Sequence, residues 1–172
     1  MFHPENLTGN MSHNGFRIIV RDNISYGNLT RTGSHSDGNG IIMDDFRSTQ
    51  APQRGAYLFP SLVENNLVYG NGGKGIQVDW TDYATIRNNT AYHNNVDQQS
   101  TGTWHGELSN MNASNNVWVN NLAVANPSIT GNNTAIDNTS HAGYTNHNNV
   151  WSNNLTFNGT PGDPSIRNAG GN

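Results

Sequence analysis

Apolar and polar positions along the chain fall into a short motif that returns five times. The segments Ile19-Val20-Arg21-Asp22-Asn23-Ile24-Ser25-Tyr26, Leu62-Val63-Glu64-Asn65-Asn66-Leu67-Val68-Tyr69, Thr85-Ile86-Arg87-Asn88-Asn89-Thr90-Ala91-Tyr92, Val117-Trp118-Val119-Asn120-Asn121-Leu122-Ala123-Val124 and Val150-Trp151-Ser152-Asn153-Asn154-Leu155-Thr156-Phe157 align without gaps. Each places an Asx-Asn pair between two short runs of strand formers. A second, weaker segment lies between successive copies: Gly40–Asp44, Gly75–Asp79, Gly106–Asn110 and Thr134–Asn138. The last two fit poorly and admit a shift of one residue. The shortest step, from Asn66 to Asn89, is 23 residues, and a period of that size marks a solenoid. Leucine-rich repeats need regular Leu, which is absent, and Asn and Gly disfavour helix interiors.

The pattern therefore predicts an all-β chain: a right-handed parallel β-helix of about five to seven coils with inserted loops, read as a single domain over residues 1–172. Coils stack about 4.8 Å apart, so equivalent side chains lie one above another. Stacked Asn side chains form hydrogen-bonded ladders, and Asn tolerates the left-handed backbone of a sharp corner. One Asn of each pair is expected to make the turn and the other to join a ladder. Ile24, Leu67, Leu122 and Leu155 are expected to form an interior stack. The longer steps place insertions at 30–36, 48–60, 96–104 and 126–133. Three of these precede the second strand type, so a binding face is expected beside it.

Composition agrees with a thin core. Only 33% of the 172 residues are hydrophobic and 12% are charged, and the net charge is −4. No cysteine is present, which excludes disulfides and Cys-ligated zinc. The mild acidity and scattered basic residues argue against nucleic-acid binding. No apolar run approaches the ~18 residues of a membrane span, and the start of the sequence has no apolar signal-peptide core. Neither end offers a capping helix, so the ends are expected to be completed by oligomerisation or by further chain.

Chemistry concentrates in the stretch Asp37-Gly38-Asn39-Gly40-Ile41-Ile42-Met43-Asp44-Asp45. Strand alternation turns Ile41, Met43, Ile76 and Val78 inward and Ile42, Asp44, Gln77 and Asp79 outward. Asp44 and Asp79 then stack as neighbours, and two such carboxylates repel unless they share a proton or a cation. Asp37, Asp44, Asp45 and Asp79 make a candidate calcium site, or Asp44 and Asp79 an acid/base pair. The plainer alternative is that Asp37 starts a turn and Asp44 or Asp45 ends a strand. Lys74, the only lysine, is a candidate general base; a solvated turn lysine is the alternative. Arg47 and Arg54 would grip an acidic sugar's carboxylate, or simply anchor their loop. Trp80, Tyr83 and Trp104 would stack on sugar rings, with His105 and Glu107 beside them as a weaker acid/base pair. Trp118 and Trp151 occupy matching repeat positions and read as a structural stack.

Three stretches resemble the bacterial right-handed parallel β-helix repeat proteins, the superfamily that contains pectate lyases: Asp37–Asp45, Val63-Glu64-Asn65-Asn66-Leu67-Val68-Tyr69-Gly70-Asn71, and Ile86-Arg87-Asn88-Asn89-Thr90-Ala91-Tyr92. The resemblance implies secretion and action on polysaccharides. Family 9 pectate lyases bind calcium through an Asp cluster and use a Lys base in a Gly-aromatic-Lys pattern. Here that stretch is Gly75-Ile76-Gln77, so Gln77 stands at the base position and Lys74 lies three residues earlier. Two functions follow. One is an enzyme acting on an acidic polysaccharide, with calcium at the Asp cluster, Lys74 as base, Arg47 or Arg54 on substrate, and Gln77, Trp80, Trp104 and His105 along the groove. The other is a non-catalytic glycan-binding or structural module, adhesin-like or tailspike-like, or a truncated enzyme.

Overall fold

A computed structural model describes residues 15–30, 33, 35, 37–100, 105–164 and 166–168. These residues form a parallel β-helix of five coils with three five-stranded sheets, every pairing parallel. Sheet 1 contains β1 (Ile18–Arg21), β4 (Ser61–Glu64), β7 (Ala84–Arg87), β10 (Val117–Val119) and β13 (Val150–Ser152). Sheet 2 contains β2 (Ile24–Tyr26), β5 (Leu67–Tyr69), β8 (Thr90–Tyr92), β11 (Leu122–Val124) and β14 (Leu155–Phe157). Sheet 3 contains β3 (Ile41–Asp44), β6 (Ile76–Asp79), β9 (His105–Met111), β12 (Asn133–Thr139) and β15 (Ile166–Asn168).

The Asx-Asn pair is the corner between sheets 1 and 2. Its first residue takes the left-handed backbone: φ is 58° at Asp22, 55° at Asn65, 54° at Asn88, 56° at Asn120 and 54° at Asn153. The second points inward and builds the ladder. Asn23, Asn66, Asn89 and Asn121 each donate from Nδ2 to the Oδ1 of the Asn in the next coil at 2.9–3.0 Å. Their backbone N–H groups donate to the same oxygens at 3.0–3.1 Å. Each inner rung so satisfies groups that would cost roughly 1–3 kcal/mol if buried without partners.

The residue after the ladder Asn faces out, which corrects the expected interior stack of Ile24, Leu67, Leu122 and Leu155. Ile24 is 66% and Leu155 70% exposed. Strand alternation continues through the corner: with Asn66 inward, Leu67 must turn out and Val68 in. The interior row of sheet 2 is Ser25, Val68, Ala91, Ala123 and Thr156. It faces a sheet 1 row that grows from Val20, Val63 and Ile86 to Trp118 and Trp151. Small residues thus oppose the Trp pair, whose rings stack at 4.8 Å as the matching repeat positions predict, and the section stays filled.

In sheet 3, Ile76 pairs with Leu108, not with Glu107. The one-residue shift leaves Gly75 beside Glu107, and it has a reason in a second ladder. Asn28 donates to Asn71 and Asn71 to Asn94, at 2.9 and 2.8 Å. Gly40 and Gly75 give these amides room, since a Cβ on either would lie 2.9 Å from the Asn71 or Asn94 amide nitrogen. In the third coil the Glu107 carboxyl is the final rung, accepting from the backbone N–H of Asn94 at 2.8 Å and from its side chain at 2.5 Å.

Four insertions interrupt the coils as expected, but a fifth, over residues 140–149, also projects from the corner between sheets 3 and 1. It meets the loop 45–60 from the first coil. That loop packs on its own aromatic cluster of Phe46, Tyr57 and Phe59, all buried.

Candidate functional site

The outer face of sheet 3 carries the titratable groups. β3 and β6 pair in register, so Asp44 lies directly beside Asp79, and Ile42 beside Gln77. In the next coils the same rows hold Met111 and Thr139, then Ser109 and Asp137. Burial, followed by repulsion from Asp79 and Asp45, pushes Asp44 up to about 7. Burial also raises Asp79, opposed by the Asn112 side-chain amide, which donates to it at 3.0 Å, and by the charges of Lys74 and His141. Among the described residues, Asp44 has a single long contact of 3.5 Å, from the Gln50 amide. The pair is therefore asymmetric: Asp44 gives up its proton only near pH 7, while Asp79 has partners for its anion.

Lys74 sits at the turn into β6 with 7% of its surface exposed, so it is not a solvated turn lysine. Its charge favours the anions of Asp79 and Asp137 and disfavours protonation of His105. Asp137, fully buried, accepts from the Gly106 backbone N–H at 2.6 Å and from the Ser109 hydroxyl at 2.9 Å. Burial nevertheless pushes it up to about 6. His105 is buried, its Nδ1 within 2.9 Å of both Ser100 Oγ and Asn95 Oδ1. Burial first, then Lys74, lowers it to about 4, so its ring is neutral. Glu107, expected beside His105, turns inward to the ladder and is pushed up to about 8 by burial. Gln77 is 4% exposed and accepts from the Asn39 amide at 2.9 Å.

The other expected residues have structural engagements. Asp45 takes the left-handed backbone (φ 55°), and its carboxylate ties the following loop, accepting from the N–H groups of Thr49 and Gln50 at 2.6 and 3.0 Å. Asp37 is exposed on the approach to β3. Among the described residues no group of three or more His, Asp or Glu side chains gathers at metal-binding geometry. Arg47 lies over Trp80 at 5.2 Å and over Tyr144 at 4.5 Å, donates to the Tyr144 hydroxyl and the Asn112 carbonyl, and reaches Asp82 at 3.7 Å. His141 stacks on Trp80 at 5.9 Å. Arg47 and Trp80 therefore hold the first-coil and fourth-coil insertions together over β6 and β9. Arg54 is exposed on a 3-10 turn, Pro52–Arg54, in loop 45–60. Trp104 lies outside the described residues.

Sequence reading missed Asp137, Ser109, Asn112 and His141. The first two needed the shifted register of β9. The last two need the insertion 140–149 folded back on the coil, where Asn112 contacts both Asp79 and His141 Nδ1, the latter at 2.9 Å. No family model, curated protein or solved structure matches the chain. Among the described residues no helix is long and apolar enough to cross a membrane.

Proposed function

We propose that this β-helix is a secreted carbohydrate-active protein of the pectate-lyase-like superfamily, cleaving a polysaccharide at the Asp44–Asp79 pair. The observation that carries the reading is the direct register of two carboxyl groups whose surroundings differ. Asp44, pushed up to about 7, is partly protonated at neutral pH and can donate that proton. Asp79 accepts from Asn112 and lies in the field of Lys74. A proton donor beside a carboxylate is what glycosidic cleavage requires, and the parallel register puts the two residues on adjacent strands. Asp44 would protonate the leaving oxygen as the glycosidic C–O bond breaks, Asp79 would bond to or steady the sugar carbon, and water would then add to that carbon, returning a proton to Asp44 and freeing Asp79. Lys74 would bind an acidic or hydroxyl group of the sugar. Elimination on an acidic polymer, with Lys74 as base and calcium as helper, is the competing chemistry.

The test is a polymer panel of acidic and neutral glycans, with and without calcium. It is read for reducing ends and for the ultraviolet absorbance of unsaturated products. Reducing ends without absorbance, lost in Asp44→Asn and Asp79→Asn, support hydrolysis. Absorbance would replace it with elimination. Neither signal, with retained glycan binding, leaves the non-catalytic module. One observation favours that second reading: Arg47 and Trp80, expected to hold substrate, are engaged with each other and with His141 and Tyr144.

A further inference from the structure

The Asn ladder has a direction. In every step the donors belong to the earlier coil and the accepting Oδ1 to the later one. At the last coil, among the described residues, the backbone N–H of Asn154 has no acceptor, and its side-chain amide donates only to the Trp118 carbonyl at 2.9 Å. At the first coil, the Asn23 side-chain amide donates to Asn66 and to the Arg21 carbonyl, while its Oδ1 accepts from none of the described residues. One end of the stack thus presents unused donors and the other an unused acceptor at the same corner.

Packing shows the same openness at both ends. The interior residues Val63, Val68 and Ile76 of the second coil are fully buried. Their counterparts Val20, Ser25 and Ile41 in the first coil, and Trp151, Thr156 and Ile166 in the last, are only half-buried. The repeat register decides what would meet across a joint. Val150 would fall beside Ile19, Leu155 beside Ile24 and Phe157 beside Tyr26 of a second copy, which is apolar against apolar in each row. These residues are 47–70% exposed.

We infer that a second copy of this chain docks end to end, the last coil of one against the first coil of the next, so that Asn154 donates to the neighbour's Asn23 and the three sheets run on through the joint. Parallel strand edges complement each other under translation along the axis, so donors meet acceptors throughout. Joining like end to like end would set Asn donor against donor, or acceptor against acceptor. The interface is therefore head to tail, and because it does not close on itself it continues into linear assemblies.

Sedimentation of the full chain over rising concentration tests this. The expected result is a mass that grows continuously past the dimer. Asn154→Asp keeps the oxygen that accepts from Asn121 but faces the neighbour's Asn23 with an acceptor. It should stay monomeric alone and, added in minor amount to the wild type, shorten its assemblies by blocking growing tails. Leu155→Lys, at a 70% exposed position, should act likewise and carries the test if circular dichroism shows the first variant unfolded. A mass that stays monomeric up to the solubility limit, a mass that stops at the dimer, or variants that assemble like the wild type would overturn the inference.

Discussion

The corner between sheets 1 and 2 and the outer face of sheet 3 belong to the same five coils, yet they treat repetition in opposite ways. At the corner every coil repeats one backbone turn and one inward amide. On sheet 3 the rows change chemistry midway: Asp44 and Asp79 give way to Met111 and Thr139, and inside, Met43 and Val78 to Asn110 and Asn138. Repetition suits the corner because each amide is satisfied only by an identical neighbour one coil away. It would harm the outer face, where an unbroken acidic row would repel itself. The interior change has its own cause. Asn110 accepts from Asn116 at 3.1 Å and from the Trp118 indole at 3.4 Å, so the wide Trp brings a buried acceptor with it. Monotony therefore marks structure in this molecule, and the places where the rows break mark chemistry.

The largest effect that would sharpen this contrast lies on sheet 3. Asp44→Asn and Asp79→Asn are expected to lower turnover by roughly 10²–10⁴-fold, the range for loss of an acid or base, with the urea midpoint unchanged or raised because a buried carboxyl no longer has to ionise. Equal losses of stability and turnover would make the pair structural.

The corner should respond in the reverse sense. Asn89→Ala removes donors to Asn121 and to the Val63 carbonyl and an acceptor for Asn66. The expected cost is about 2–4 kcal/mol in urea denaturation, with no change in activity per folded molecule. Asn154→Ala, at the end of the ladder, should cost about 1 kcal/mol. Equal costs at the two positions would show that position in the ladder does not matter.

The carboxyls of sheet 3 should also give the fold its pH dependence. Asp137, Asp44 and Glu107 are pushed up to about 6, 7 and 8 from ordinary values of 3.8, 3.8 and 4.5. Each binds its proton more tightly in the folded chain. Their contribution is therefore fully present below the ordinary values and is lost as pH rises through about 6, 7 and 8. The urea midpoint should fall between about pH 5 and about pH 8, and Asp44→Asn should flatten the part of the slope below about 7. A midpoint that rises over this interval would contradict the burial assigned to these groups.

The smallest effect concerns the row beside the ladder. Leu122→Ser should cost about 1 kcal/mol or less because the side chain faces outward, whereas Ala123→Ser, one residue on and fully buried, should cost more. A reversed order would restore the interior placement of the leucine row.

The solenoid, the Asx-Asn corner and the stacking of Asp44 on Asp79 are legible in the sequence. A left-handed turn and an amide ladder use adjacent residues and recur at every coil. Four of the five insertions are also visible as lengthened steps. The facing of Leu67 and its equivalents was not legible, because a corner that preserves alternation and one that resets it produce the same letters. Nor was the register of β9, which depends on whether Gly75 or Ile76 leaves room for a ladder several residues away.

By itself, then, the sequence determined the coil, because its signals are local and repeated: an Asn that accepts a left-handed backbone and an Asn that needs a copy of itself above. Tertiary structure alone decided what each outward residue does. Burial of Lys74, the clasp of Arg47 on Trp80 and Tyr144, and the unequal partners of Asp44 and Asp79 come from insertions separated by up to 97 residues. Hydration, charge and hydrogen bonding at those groups are set by whatever the chain folds against them.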